Sequence, residues 1–254
     1  MRFAFFGTRP LAAGVLAELN DAGLIPEKSF ESADITPAFI AELASQEWDV
    51  FVVASFGKIL PKAFLDIPRR GVINMHPSLL PRLRGPSPVR SAILLNERDT
   101  GVTIMRLNEK MDQGPIIAQR KVAIPEWPPY GRDLDALLAR EGGKLLAEML
   151  PQWVAGEIDA VEQNHDVATY CKIFTKEDGL LDLKADAYEN LLKIRAFDGW
   201  PGTYAFFERA GKKIRVQILD AEIINGKLQI MIVKPEGKGE MRYDAFLNSG
   251  ARPV

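Results

Sequence analysis

Apolar positions in the first 156 residues alternate between short continuous runs and helical spacing. Residues 2–6 form a short apolar run ending at Gly7-Thr8, and residues 10–21 then place Leu11, Val15, Leu16 and Leu19 at helical intervals. The spacing predicts further helices over 37–44, 88–96 and 132–155. The last of these carries Leu134, Leu137, Leu138, Leu145, Leu146, Met149 and Leu150 on one broad face. Runs rich in β-branched and apolar residues predict strands over 49–55, 71–75, 101–107 and 116–122. Strand–helix alternation of this kind predicts the α/β class, an open and mainly parallel sheet covered by helices.

After Gly156 the pattern changes. Residues 157–169 are polar and aperiodic and read as a linker, and residues 187–196 form a short helix. Strand-like runs occupy 203–207, 213–224 and 228–234, separated by Ala210-Gly211 and Asn225-Gly226 and followed by Glu236-Gly237. Asn-Gly between alternating runs specifies a tight hairpin. The division predicted is therefore a first domain over 1–156, a linker over 157–169 and a smaller β-rich domain over 170–254.

Composition narrows the chemistry. With 47% hydrophobic and 26% charged residues in 254, the chain has ample material for a packed core. One cysteine, Cys171, and two histidines argue against a disulfide scaffold and against a structural zinc site. No targeting signal, lipidation motif or membrane-length apolar run is read, so the expectation is a soluble, cytoplasmic protein.

Several common equipments are missing. No Gly-x-Gly-x-x-Gly, no phosphate loop and no Gly-x-Ser-x-Gly elbow occur. The informative segment is 71–89, where a strand ends at Asn74-Met75-His76 and enters a loop with Pro77, Pro81, Pro86 and Pro88. Alternation puts Asn74 and His76 on one face, at the strand end where open sheets bind ligands. Two polar caps on a strand end would look the same. Asp112, before Gln113-Gly114-Pro115, is either a turn former or, if its strand neighbours 71–75, a carboxylate able to approach and orient His76. Charge is also uneven. Lys58, Lys62, Arg69, Arg70, Arg82, Arg84 and Arg90 face a single acid, Asp66, across 56–90, in a chain of net charge −2. That stretch is either solvated loop charge or a basic surface suited to a phosphate-bearing substrate.

The run Asn74-x-His76-Pro77-Ser78-Leu79-Leu80-Pro81, then Arg84-Gly85-Pro86, Gly101-Val102-Thr103-Ile104 and Asp112-x-Gly114, resembles the folate-dependent formyltransferases. Phe5-Phe6-Gly7-Thr8, Phe56-Gly57-Lys58-Ile59-Leu60-Pro61, Thr175-Lys176-Glu177-Asp178-Gly179 and Trp200-Pro201-Gly202 are similar to the branch acting on methionyl-tRNA. The resemblance implies a Rossmann-like first domain and an OB-like C-terminal domain, with 10-formyltetrahydrofolate as formyl donor. It implies the α-amine of methionyl initiator tRNA as acceptor, no metal, and a monomer. By the same resemblance Asn74 holds the formyl oxygen, His76 stabilises developing charge and Asp112 keeps His76 charged. Ser78, Leu79, Leu80 and Pro81 then face the folate, with Phe56, Gly57, Lys58 and Ile59 lining its pterin side. Relative to the family, the basic Gly/Pro-rich insertion after the first helix is absent. An amino-sugar acceptor, or a folate- or RNA-binding relative without turnover, are the alternative readings.

Overall fold

The computed structural model describes residues 1–254. In chain order the elements are β1 (Phe3–Gly7), α1 (Leu11–Asp21), β2 (Lys28–Phe30), α2 (Pro37–Ala44), β3 (Val50–Ala54), α3 (Lys62–Leu65) and β4 (Val72–His76). There follow α4 (Pro88–Leu94), β5 (Thr100–Arg106), β6 (Ile116–Val122), α5 (Gly131–Ala155) and α6 (Ala187–Ala196). The chain finishes with β7 (Thr203–Arg209), β8 (Lys212–Ile224), β9 (Lys227–Pro235), β10 (Met241–Arg242), α7 (Tyr243–Asn248) and β11 (Arg252–Pro253).

Contacts divide the chain into two compact units. The first comprises Met1–Pro88, Asp99–Ala123 and Asp135–Lys172, and the second Val89–Arg98, Ile124–Leu134 and Ile173–Val254. Residues 157–169, read above as a linker, thus belong to the first unit. They are held there by a bridge between Ile116 and Val161 and by the burial of Gln163.

The first unit is built on a six-stranded sheet in the order β2-β1-β3-β4-β5-β6. The pairs β1·β2, β1·β3 and β3·β4 are parallel, whereas β4·β5 and β5·β6 are antiparallel. Strands β1 and β3 are buried at every position, which is why they read as continuous apolar runs rather than alternating ones. Phe6, Phe51 and Phe64 meet at centroid distances of 5.2–5.3 Å on one side of the sheet, and Phe56 joins them edge-on to Phe6 at 5.8 Å. Such pairs add about 0.5–1.5 kcal/mol each beyond burial. Thr36 caps α2 by accepting the Phe39 N–H, with Pro37 in the first turn.

The turn entering β4 is fixed by a reciprocal contact with α5. Arg70 Nε donates to the Trp153 carbonyl at 2.8 Å and Trp153 Nε1 donates to the Arg70 carbonyl at 3.1 Å. The guanidinium lies 4.6 Å from the indole centre. Backbone and side chain together therefore set the level at which β4 starts, and with it the level at which His76 ends it.

The second unit carries a five-stranded antiparallel sheet in the order β10-β9-β8-β7-β11. This β-rich unit agrees with the OB-like domain expected. Ala210-Gly211 and Asn225-Gly226 have positive φ at both central positions, from 51° to 73°, the geometry two-residue hairpins require. Strand β8 shifts register around Asp220, and such a bulge re-aims a side chain. Phe207, Phe246, Ile194, Val216 and Ile218 form the core over that sheet. Asp186 caps α6 by accepting the N–H groups of Tyr188 and Glu189.

Candidate active site

Strand β4 lies between β3 and β5, with His76 opposite Thr103 and Asn74 opposite Met105. The antiparallel return of β5 carries the chain through residues 107–115 and brings Asp112 back to the end of β4. Asp112 Oδ1 lies 3.8 Å from His76 Nδ1. The other carboxylate oxygen accepts the Gly85 N–H at 2.7 Å. His76 is 4% exposed, and its Nε2 faces the Leu83 carbonyl at 2.9 Å. A carbonyl only accepts, so Nε2 carries a proton, and Nδ1 is the nitrogen turned to the carboxylate. One ring nitrogen is thus bonded to a carbonyl, and the other faces a carboxylate 3.8 Å away.

Asn74 is half-buried, and its side-chain amide makes no hydrogen bond within the protein. It lies two residues before His76 on the same face of the strand. An unspent amide beside an imidazole and a carboxylate is a hydrogen-bonding set able to hold an oxygen, stabilise negative charge on it and manage a proton.

The loop that follows β4 is fixed from below. The buried Thr103 hydroxyl donates to the Ser78 carbonyl at 2.6 Å and accepts the Leu80 N–H at 3.1 Å. Gln119 Nε2 donates both to that hydroxyl at 2.8 Å and to the Leu80 carbonyl at 2.9 Å. The Ser78 hydroxyl turns back to the Arg82 carbonyl at 2.7 Å. Ser78 and Leu80 are buried, so of the four loop residues named above only Leu79 and Pro81 keep partly exposed side chains. In the earlier segment the Phe56 ring is in the aromatic core, and Gly57, Lys58 and Ile59 are exposed. Lys58 turns to the Ala33 carbonyl and to Asp34, both at 2.7 Å. These contacts shape the segments and leave Leu79, Pro81 and Ile59 as their apolar surfaces.

The sequence reading named Arg84 but passed over its partners. Arg84 is 1% exposed, and its guanidinium donates to Gln163 Oε1 at 3.1 and 2.6 Å, to Tyr170 Oη at 3.0 Å and to His165 Nδ1 at 2.9 Å. Gln163, His165 and Tyr170 all come from or just beyond the stretch read as a linker. Their route back is set by main-chain bonds: Thr169 N–H to the Pro81 carbonyl, Arg84 N–H to the Thr169 carbonyl and Cys171 N–H to the Arg84 carbonyl. Cys171 accepts the Ser87 N–H through sulfur at 3.3 Å.

Most of the basic residues in the stretch 56–90 have identified partners or are buried. Lys58 pairs with Asp34, Lys62 with Asp66 and Arg69 with Asp49. Arg70 is engaged with Trp153 and Arg84 is buried. Asp34 and Asp49 lie outside residues 56–90, so a local charge count omits them.

Comparison with known proteins now bears on this geometry. The pattern described as formyl transferase matches residues 15–150, and that described as formyl transferase, C-terminal domain, matches residues 173–229. A methionyl-tRNA formyltransferase of Chloroflexus aggregans is 45% identical over 180 residues, 71% of this chain and 57% of that relative. The chain therefore spans a little over half the length of that relative. A methionyl-tRNA formyltransferase of Carboxydothermus hydrogenoformans is 36% identical over 305 aligned positions, covering all of this chain and 98% of the relative. Against 254 residues here, that alignment contains some fifty positions with no counterpart in this chain. Among solved structures, HypX from Aquifex aeolicus in complex with tetrahydrofolic acid superposes with a TM-score of 0.74 at 19% identity, over 97% of this chain and 47% of that one. The fold, the match over more than half of the sequence and these relatives lead to one conclusion: the chain belongs to the formyl transferase family.

Proposed function

We propose that the chain transfers a formyl group from 10-formyltetrahydrofolate to the α-amine of methionyl initiator tRNA. The observation that carries this reading is the unpartnered Asn74 amide beside the His76–Asp112 couple. The donor supplies an activated formyl carbon at the oxidation level of formate, bound to a nitrogen that can leave. Asn74 donates to the formyl oxygen, where charge builds as an amine attacks. His76 lies on the same strand face and stabilises the charge that develops there. Asp112, facing His76 Nδ1, orients the ring and accepts the proton shed by the amine, which then passes to the nitrogen that leaves the formyl carbon. Leu79, Pro81 and Ile59 offer apolar contact to the folate. The methionyl-tRNA formyltransferase names of the curated relatives favour the tRNA acceptor.

The reading is tested by incubating the protein with 10-formyltetrahydrofolate and charged initiator tRNA. Formylmethionine released on hydrolysis is the expected product. Only six residues separate α1 from β2, where the family's insertion would stand, so a nucleotide-linked amino sugar is the acceptor to run alongside. Formylation of the sugar alone would replace the tRNA acceptor. Transfer to neither would overturn the reading.

A further inference from the structure

Arg84 is a buried cation with no carboxylate among its partners: its guanidinium meets an amide oxygen, a phenol and an imidazole nitrogen. Burying a charge among neutral groups is costly, so the arrangement calls for a compensating use. Gln163 supplies one. Arg84 can only donate, which fixes the Gln163 oxygen towards it and turns the amide NH₂ the other way. That NH₂ donates to the Asp112 carbonyl at 2.9 Å and to the Gly114 carbonyl at 2.7 Å. The amide of Gln163 is thus fully used, with two bonds accepted and two donated.

The backbone that Gln163 holds needs holding. Asp112 has φ 51°, in the left-handed region, which costs a non-glycine residue free energy unless its surroundings impose it. Gly114 passes so close to β5 that a Cβ there would sit 1.8 Å from the Arg106 carbonyl oxygen. The two neighbours of Arg84 reach the reacting groups as well. Leu83 accepts from His76 Nε2, and Gly85 donates to Asp112 Oδ2. One tripeptide therefore fixes the imidazole, the carboxylate and, through Gln163, the peptide that carries the carboxylate.

We propose that Arg84 and Gln163 are positioning residues that form a buried latch setting the distance and orientation of the Asp112 carboxylate relative to His76. The role in catalysis rests on the formyl-transfer reading; the geometric role does not. The latch acts through the amide NH₂ of Gln163, which is the part that touches the Asp112 loop. The other half of that amide serves Arg84.

Gln163→Glu separates the two halves. It keeps two oxygens for Arg84 and gives it a counter-charge, while removing both donors to the Asp112 and Gly114 carbonyls. If the latch is right, Gln163→Glu still folds, because its ion pair with Arg84 offsets part of the loss of the two donated bonds. Its kcat falls about 10- to 100-fold, with a smaller change in KM for 10-formyltetrahydrofolate. A Gln163→Glu protein with wild-type kcat would overturn the proposal, because compensation of Arg84 would then be the only task of the residue. Should this variant fold poorly, Arg84→Lys tests the same latch, since it retains charge and loses the fork that orients the amide. The same loss of kcat is expected from it, and wild-type kcat would again count against the latch.

A readout independent of turnover comes from the ring nitrogen resonances of His76, assigned by comparison with His165→Asn. In the latch variants they should move towards their positions in Asp112→Asn. Resonances that stay at wild-type positions refute the latch even if the protein transfers no formyl group, and a shift without any wild-type turnover sinks only the catalytic reading.

Discussion

The Nδ1 atom of His76 and the Oδ1 atom of Asp112 lie 3.8 Å apart, with the second oxygen of Asp112 bonded to the Gly85 N–H. The gap is longer than a hydrogen bond. Held from one side by a backbone amide, the carboxylate therefore sits within Coulombic reach of the ring without closing on it, and a small displacement or a bridging water completes the contact.

Asp112→Asn should expose what that charge contributes. Asparagine tolerates left-handed backbone, and its oxygen can still accept from Gly85, so the loop is kept while the charge is lost. The expected result is a fall in formyl transfer of roughly 10²–10⁴-fold with little change in melting temperature. Single-turnover rates with saturating donor measure it, and a loss below about threefold would remove Asp112 from the mechanism proposed.

Thr103→Val should act on stability. The substitution deletes a hydroxyl serving the Ser78 carbonyl, the Leu80 N–H and Gln119, leaving buried backbone groups unpaired. A loss of about 1–3 kcal/mol is expected, read as a lower urea midpoint at unchanged slope, and Thr103→Ser should recover most of it.

Gly114→Ala should be worse tolerated than an ordinary loop substitution. The new methyl would collide with the carbonyl oxygen of Arg106, a main-chain atom that cannot rotate away. Strain of this kind costs about 1–3 kcal/mol or more. Asp112 and the Gln163 bond to residue 114 move with it, so activity should drop further than thermal midpoint alone explains.

Alkaline stability should depend on Tyr130. Burial raises its phenol, and the hydrogen bond it donates to Asp220 raises it further, against the opposing pull of Arg195, to about 12. The folded protein then holds a proton that the unfolded chain releases near 10. Stability from this group is full below about pH 10 and is lost as pH rises towards 12. Tyr130→Phe should flatten that part of the denaturation profile, and an unchanged slope would show that the phenol carries no linkage.

Much of this arrangement was legible from residues alone, for reasons that differ by element. Strands β1, β3 and β4 read clearly because sheet interiors demand uninterrupted apolar runs, and Asn225-Gly226 reads clearly because few other pairs accept two positive φ angles. Strand β2 has three residues and α3 four, too short for any period to register. In the site, Asn74, His76 and Asp112 stand out as polar groups at a strand end and a turn. Gln163, His165 and Tyr170 do not, because their placement depends on residues 161–171 pairing with partners some fifty to ninety positions earlier. A polar stretch without periodicity looks the same whether it is solvated or sewn into a site. The partners of the basic run were hidden for a related reason: two of the acids paired with it, Asp34 and Asp49, lie outside residues 56–90.

The placement of Gln163 has a consequence for synthesis. A chain emerging from its N-terminus releases β4 nearly ninety residues and Asp112 about fifty residues before Gln163, and the long α5 precedes Gln163 as well. The sheet can form while the carboxylate loop still lacks the side chain that fastens it. The nascent protein would then acquire its shape first and its chemical competence only when the segment around residues 163–170 clears the ribosome.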